Sequence, residues 1–579
     1  MKFLTFLTDL PDNVLGRALR EGYKPAAVAF GFSLVSNLLY LALPLYTYQV
    51  YGRVMTSQSQ ATLWTLTVVT LFIFAISSVI DDIRARILIN YGVALDQRTS
   101  GRVFTALFDA AVRGEPGARA QALRDLDQFR QSLTGIAAAA FFDVPWIPVF
   151  LGVLFIIDPL VGVVTTIGAA ILLALAIIQA RAVQNSLKDA NEAALRSYGF
   201  TDAALRNGEV VRAMGMLPTL GQAWARHRAV TIERGAAAAE ASNFYTDLIK
   251  FVRMGMQVLI VAIGAYLILE GKIHPGMLFA NMILASRALQ PIEKVVGSWD
   301  PLNNMYRAYQ RLNTLLSKAE PPVAATSLPR PAGKLSVEGV NFAPPGVQRL
   351  VLGNVNFAID PNEVLGVIGP SGAGKSTLAR LLVGIWKPLN GVVRLDGADV
   401  FTWDRADFGR HVGYLPQDTE LFAGTVRNNI ARFRDGVTDE EVVAAAQLAG
   451  VHDLILRMPK GYDTDVGEGG VVLSAGQRQR VGLARCLLGN PAFVVLDEPN
   501  ANLDAEGEDA LMRAIDAMKA NGATVVIISH KPGVFRAADK MLVLRDGRIE
   551  LFGPRDQVMA RLVKPAQPPE APRAVEAGR

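Results

Sequence analysis

Nine consecutive residues, Gly369 to Thr377 (GPSGAGKST), hold the densest chemistry in this chain. Gly369, Gly374, Lys375 and Ser376 stand at the fixed positions of G-x-x-x-x-G-K-[ST], with Pro370, Ser371, Gly372 and Ala373 filling the loop between. An apolar run, VLGVIG, leads in, and LARLLVGIW continues with helical character. A glycine-rich loop between strand and helix lets backbone N–H groups approach phosphate oxygens, and the positive end of the helix dipole adds attraction. Lys375 is expected to reach the β- and γ-phosphates of a nucleoside triphosphate, and Ser376 to hold Mg2+. A bare glycine-rich turn is the bland alternative, but all four fixed positions and both flanking elements agree on the cradle. Downstream, Phe493–Glu498 (FVVLDE) is an apolar run ending in two carboxylates. Asp497 is placed to hold Mg2+ through its water shell, and Glu498 to polarise a water for attack on a γ-phosphate. Alone such an ending is weak, since many core strands finish in acids; after a phosphate loop it is strong.

The elements that must position these groups are read from the hydrophobic pattern. From Leu335, strand-like runs (LSVEGVNF, LVLGNVNFAID) give way to alternating strands and helices as far as residue 563, the pattern of an α/β domain with a largely parallel sheet. Residues 318–334 (KAEPPVAATSLPRPAGK) read as a linker, and the Pro/Ala-rich residues 564–579 as a disordered tail. With 51% hydrophobic and 19% charged residues, the chain is too apolar for an ordinary soluble protein of 579 residues. The excess lies before about residue 300, and residues 26–317 read as a transmembrane domain after a cytoplasmic lead-in over 1–25. That lead-in, MKFLTFLTDLPDN and onward, shows no cleavable signal peptide. Six spans of about 20 residues are expected: Ala26–Tyr48, Ala61–Ile80, Gly135–Ile157, Pro159–Ala180, Leu248–Leu269 and Pro275–Val296.

Two long basic connections, 81–133 and 181–247, both fall on one side of the bilayer. The positive-inside rule places that side, both termini and the phosphate loop in the cytoplasm. Each connection can extend two spans as helices by about 25 residues, or about 40 Å, turning near Gly114–Gly117 and Gly208–Gly215. The net charge of +5 needs no polyanionic partner, and no basic run interleaved with aromatics points to nucleic acid. The single cysteine, Cys486, excludes an intrachain disulfide and reads as a buried structural thiol. Asp143, beside Pro145 and Trp146, is an acid within an expected span; it either lines the polypeptide path, or sits near the headgroups or hydrogen-bonds around the Pro145 kink. Tyr46, Tyr48 and Tyr51 read as an interfacial aromatic belt.

The discriminating motif is LSAGQRQR, Leu473–Arg480, which resembles the LSGGQ signature of ATP-binding cassette (ABC) proteins. Gln417 in YLPQD is similar to that family's Q-loop, Asp504 in NANLD to its D-loop, and His530 in VIISH to its switch histidine. DVGEGG resembles the X-loop of ABC exporters. The resemblance implies a membrane α-helical ABC exporter, six transmembrane helices with long cytoplasmic extensions, joined to an α/β P-loop nucleotide-binding domain. It also implies two cassettes facing head to tail, with ATP between the phosphate loop of one and the signature of the other. Ser474 and Gly476, with Ala475 and Gln477 in the same helix start, would meet the γ-phosphate across the interface. Gln417 would hold Mg2+ and link the attacking water to the membrane helices, and His530 would stabilise the transferring phosphoryl group. One cassette and six spans make half a transporter, so a second copy of the chain is implied. Two departures stand out: Ala475 replaces the usual signature glycine, and Pro344 in NFAPPG occupies the place of the aromatic that stacks on adenine, Phe342 reading as a core residue.

In the membrane half, FFDVPWIPVF, YQVYGRVMTS and GEVVRAMGML resemble segments of bacterial type I secretion exporters of the PrtD kind, though Gly52 departs from that group's Asp. The expected activity is then ATP-driven export of unfolded polypeptides bearing a C-terminal signal, across the inner membrane, by an ATPase. The implied partners are a periplasmic membrane-fusion adaptor, an outer-membrane channel, the secreted polypeptide and membrane lipid, with no nucleic acid. No peptidase-like domain is expected ahead of the first span. The alternatives are an exporter of lipids or amphiphilic small molecules, and an ATP-gated regulator without transport. A soluble ABC ATPase of repair or translation is excluded by the expected spans.

Overall fold

The computed structural model describes residues 12–114, 121–135, 142–319, 328–344 and 349–563. It divides into two units, Met1–Ala110 with Gly117–Ala319, and Ala111–Pro116 with Glu320–Arg579.

The first unit is helical. Helix α1 (Val14–Glu21) starts where the Asn13 side chain accepts the Gly16 N–H, and it buries Leu15 and Ala18. The first span follows as α2 (Tyr23–Leu39) and α3 (Ala42–Gln49), a π-helical turn (Val50–Val54) and Met55–Ser57. Pro44 supplies no N–H for the turn before it, which accounts for the break at Tyr40–Leu41. Helix α4 (Gln60–Val112) runs 53 residues without interruption, and α5 (Gln121–Thr134) follows. A 3-10 turn (Val144–Trp146) leads into α6 (Ile147–Ile157). Asp158 then turns the chain, its carboxylate accepting the N–H groups of Leu160 and Val161 ahead of α7 (Pro159–Arg206). The short α8 (Gly208–Ala213) and Gly215, at φ +63, make the tip between α7 and α9 (Leu217–Leu269). Those two long helices pack closely: a Cβ on Gly168 would lie 2.6 Å from the Met256 methyl carbon. Helices α10 (Pro275–Gly297) and α11 (Trp299–Lys318) complete the unit.

Among the described residues, four helical stretches are long and apolar enough to cross a membrane: Val14–Ser57, Gln60–Val112, Pro159–Arg206 and Leu217–Leu269. Their outward faces carry bare apolar side chains such as Trp64, Leu71 and Phe72, as lipid requires. The other two expected spans are different in character. The third is represented by a shorter apolar helix, Val144–Ile157, with residues 136–141 outside the described set. The sixth, α10, spans 23 residues but carries Asn281, Arg287, Gln290, Glu293 and Lys294, and Pro291 inside it. Glu293 pairs with Arg253 and Lys294 with Asp143 on other segments, while Gln290 is exposed.

The second unit is built on two sheets. The larger has strand order β10-β9-β3-β8-β7-β6, parallel from β9 (Lys540–Arg545) to β6 (Val412–Leu415), with β10 (Arg548–Pro554) antiparallel at its edge. Its central strands β7 (Phe493–Asp497) and β8 (Thr524–Ile528) are buried at every position, the expected reading of apolar runs covered on both faces. The smaller sheet is antiparallel, in the order β2 (Leu352–Ile359), β1 (Leu335–Phe342), β4 (Asn390–Leu395), β5 (Ala398–Asp399), and contributes Leu335, Val337, Leu352 and Phe357 to a core shared with β3 (Val364–Ile368). The latter part of the expected linker lies on this unit. Asp396 accepts the N–H groups of Ala332, Gly333 and Lys334, and Asp407 accepts that of Leu328. The expected tail, 564–579, and the first half of the linker, 320–327, lie outside the described residues.

Candidate functional site

Parallel register brings the candidate groups to one edge of the large sheet. Val367 of β3 pairs with Ile528 of β8, Ile528 with Asp497 of β7, and Leu496 with Leu415 of β6. The loops that leave these carboxyl ends therefore start side by side: Gly369–Thr377, Glu498, Ser529–His530 and Gln417. This is where open α/β sheets hold ligands.

The phosphate loop needs its glycines. A Cβ on Gly369 would lie 2.2 Å from the Leu544 carbonyl oxygen, and Gly374 sits at φ +99 with Leu352 2.9 Å from where a Cβ would be. Gly372 also has positive φ, +79, and faces open space. Helix α12 (Lys375–Leu382) begins directly after Gly374 and anchors the loop through buried Leu378, Ala379, Leu381 and Leu382. Lys375 is buried and folds back so that Nζ donates to the carbonyls of Gly369 at 2.9 Å and Pro370 at 3.1 Å. Burial holds its ammonium below the ordinary lysine value, against the pull of Glu498 and Asp497. Pro370, Ser371 and Gly372 are exposed at the loop's crest, Ala373 is buried beneath it, and Ser376 and Thr377 are half-buried in the first helical turn.

Asp497 is 1% exposed, and among the described residues its Oδ1 has no hydrogen-bond partner. Burial pushes its carboxyl above the usual range, while the adjacent Ser376 hydroxyl opposes that rise, as do Arg380 and Lys375; Glu498 adds to it. A buried, unpartnered carboxylate oxygen next to a hydroxyl fits a divalent cation. Glu498 follows in the left-handed region at φ +51, and its N–H donates to the Ile528 carbonyl at 2.8 Å. His530 Nε2 lies 3.1 Å from Glu498 Oε1, so these two predicted residues meet. Gln417 is exposed in the loop after β6.

The signature opens α13 (Ala475–Leu487). Ser474 is its N-cap: its hydroxyl accepts the Gln477 N–H, and the Gln477 side chain accepts the Ser474 N–H at 2.9 Å. Ser474 and Ala475 are exposed, Gly476 half-buried. Among the described residues no hydrogen bond joins this segment to the phosphate loop of its own chain. Asp504 caps α14 (Ala505–Ala520) by accepting the Gly507 N–H, and it pairs with Arg480 on α13. Phe342 is buried in β1 and stacks on Trp386 at 5.0 Å, leaving Pro344 half-buried at the position of the missing aromatic.

Sequence reading missed Gln479 and Arg432. Gln479 lies within the quoted LSAGQRQR run, and its exposure of only 2% is the signal that spacing alone did not give. Arg432 donates to the carbonyls of Gly409, Arg485 and Cys486, so it ties the end of α13 to the base of β6. Burial lowers its guanidinium to about 10, still protonated at neutral pH.

In the membrane unit Asp143 is 9% exposed and belongs to a charged cluster. Arg84 reaches it at 3.4 Å and Lys294 at 3.2 Å, and Arg84 also lies 3.4 Å from Asp81. Asp81 in turn accepts from Ser36 and Tyr40, both at 2.9 Å. Tyr46 and Tyr51 are occupied as well, Tyr46 with Thr67 and Tyr51 stacked on Phe279 at 4.2 Å.

A phosphate loop, a buried strand-end acid, a neighbouring glutamate–histidine pair and a capped signature helix, on a sheet joined to membrane helices, define an ABC transporter. The family profile described as ABC transporter matches residues 352–501, and that of the ABC transporter transmembrane region matches 27–291. The chain belongs to the ABC transporter family, and it is an ATPase whose hydrolysis is coupled to transport. It is 43% identical, over 92% of both chains, to the type I secretion system ATP-binding protein PrsD of Rhizobium meliloti. It is 29% identical to the cyclolysin secretion/processing ATP-binding protein CyaB of Bordetella pertussis, over 91% of this chain and 75% of that one. The alpha-hemolysin translocation ATP-binding protein HlyB of Escherichia coli is 27% identical over the same shares. A solved ATP-bound bacterial Atm1-family ABC exporter shares the fold, with a TM-score of 0.80 over 93% of this chain at 23% identity.

Proposed function

We propose that the chain is the permease and ATPase of a type I secretion system, exporting unfolded polypeptides with a C-terminal signal as a homodimer. The observation that carries the reading is identity of 43% running through both halves of a type I secretion relative, not through the cassette alone. The reading places the protein in the bacterial inner membrane with cassettes and both termini cytoplasmic. Its partners are a periplasmic membrane-fusion adaptor and an outer-membrane channel.

In the proposed cycle Lys375 exchanges the Gly369 and Pro370 carbonyls for the β- and γ-phosphates of ATP, which also meet the N–H groups of Gly369–Thr377. Ser376, Asp497 and Gln417 would hold Mg2+, which supplies charge neutralisation on the phosphates when bound. Glu498 accepts a proton from the attacking water as its oxygen bonds to the γ-phosphorus and the bond to the leaving ADP oxygen breaks. His530, 3.1 Å from Glu498, orients that carboxylate and donates to the transferring phosphoryl group. Ser474, Ala475, Gly476 and Gln477 of the second copy complete the site, and Asp504 steadies the start of α14 beside it.

ATPase rate of the purified full chain, with and without a peptide carrying a C-terminal secretion signal, tests the reading. A saturable change that disappears in Glu498→Gln, whose basal turnover should fall at least about 100-fold, ties hydrolysis to polypeptide. A response to lipids or amphiphilic drugs alone would favour the small-molecule exporter instead.

A further inference from the structure

Gln479 occupies an unusual place between the two ends of the site. Its Nε2 donates to the Glu498 carbonyl at 3.0 Å, and its Oε1 accepts the Asn502 N–H at 3.1 Å. Glu498 and Asn502 are four apart, the spacing of a helical N–H to C=O bond. The amide of Gln479 is inserted where that bond would close, holding the turn open by one amide group. Ala501 N–H also donates to the Glu498 carbonyl, at 3.2 Å, so the turn is held from within and from α13. Glu498 needs such support, because φ +51 is disfavoured for a residue with a Cβ. The contact between α13 and this loop leaves no slack: a Cβ on Gly476 would lie 2.7 Å from the Asn502 carbonyl oxygen. Arg480, the next residue, pairs with Asp504 further along the same loop.

We propose that Gln479 is a positioning residue that sets the backbone of Glu498 from the signature helix of the same chain. The tie runs from the helix whose N-terminus meets one nucleotide to the glutamate that serves the other. On the head-to-tail homodimer reading, on which this part rests, it couples the two ATP sites: engagement of α13 at one site fixes Glu498 at its own.

Two variants separate positioning from mere stability. Gln479→Met removes both hydrogen bonds at similar length; Gln479→Glu keeps the acceptor for Asn502 and loses the donor to Glu498. The tie predicts that kcat of the full-length protein falls about tenfold in Gln479→Met and at least as far in Gln479→Glu, whose carboxylate oxygen would face the Glu498 carbonyl. KM and equilibrium binding of a fluorescent ATP analogue should stay within about twofold, since no phosphate contact is touched. Equal loss of nucleotide binding and kcat, or unchanged kcat in both variants, would overturn the proposal.

Mixed dimers then test the direction. In dimers where one chain carries Glu498→Gln, Gln479→Met is placed either on the chain with the intact glutamate or on the other. Loss confined to the first arrangement supports the tie, and equal loss or the reverse overturns it. If mixed dimers turn over as a plain average of their chains, the homodimer reading fails; the kcat-against-KM split still decides the role of Gln479, because its bonds lie within one chain.

Discussion

Cys486 sits at the end of α13 among buried residues, 2% exposed, with its thiol pushed up to about 12 by burial. The charges of Arg432 and Arg485 oppose that shift without overcoming it. A neutral, enclosed thiol is a poor nucleophile, so maleimide labelling of the folded protein at pH 8 should be negligible and should become complete in denaturant. Linkage gives the same group a sign. Its stabilising term is present below the ordinary 9.0 and is lost as pH rises toward about 12, because the unfolded thiol ionises first. Melting curves from pH 8 to 10.5 should show the cassette weakening, and less so in Cys486→Ala. The residues that motifs reveal are those whose function depends on local spacing, and Gly369–Ser376 is the clearest case. Gln479 and Arg432 escaped because their partners are chosen by packing: Gln479 reaches 23 residues to Asn502, and Arg432 reaches 53 to Arg485.

Helix α10 illustrates what element-level reading could and could not supply. Its length suggested a span, yet its polar residues meet partners from other elements, Lys294 with Asp143 and Glu293 with Arg253 on α9. A sequence window averages over such pairs. The charges at Arg84, Asp143 and Lys294 come from three separate segments, so no periodicity announces them. Removing Asp143 leaves two cations close together in a poorly hydrated place, and breaking a buried pair on one side costs about 3–5 kcal/mol. Asp143→Ala should therefore lower the melting temperature in detergent by several degrees, and adding Lys294→Met should return part of it. A double-mutant cycle with no coupling would show that the Asp143–Lys294 pair contributes nothing. The strands were more legible than α10, because β7 and β8 declare burial on both faces by unbroken apolar runs. Their order in the sheet was not legible, since it depends on contacts far apart in sequence.

At the scale of the molecule, the proposed homodimer would complete each phosphate loop with the signature segment of the second copy, and among the described residues no hydrogen bond joins the two within one chain. If so, one defective chain should do more than halve the output. Dimers pairing a wild-type chain with Lys375→Ala are expected to hydrolyse ATP at below about a quarter of the wild-type rate, measured on tandem-purified mixed dimers. A rate near half would mean that each chain works alone. Helices α7 and α9 carry a mechanical consequence of their own. At 48 and 53 residues they are unbroken rods of about 70–80 Å, side by side and joined at a tip. A rod of that length behaves as a lever with its own gear ratio: a swing of about 5° displaces the far end by about 6 Å. A small change of angle at one end can thus appear at the other as a displacement larger than an atom, with no bond along the rod having to change length.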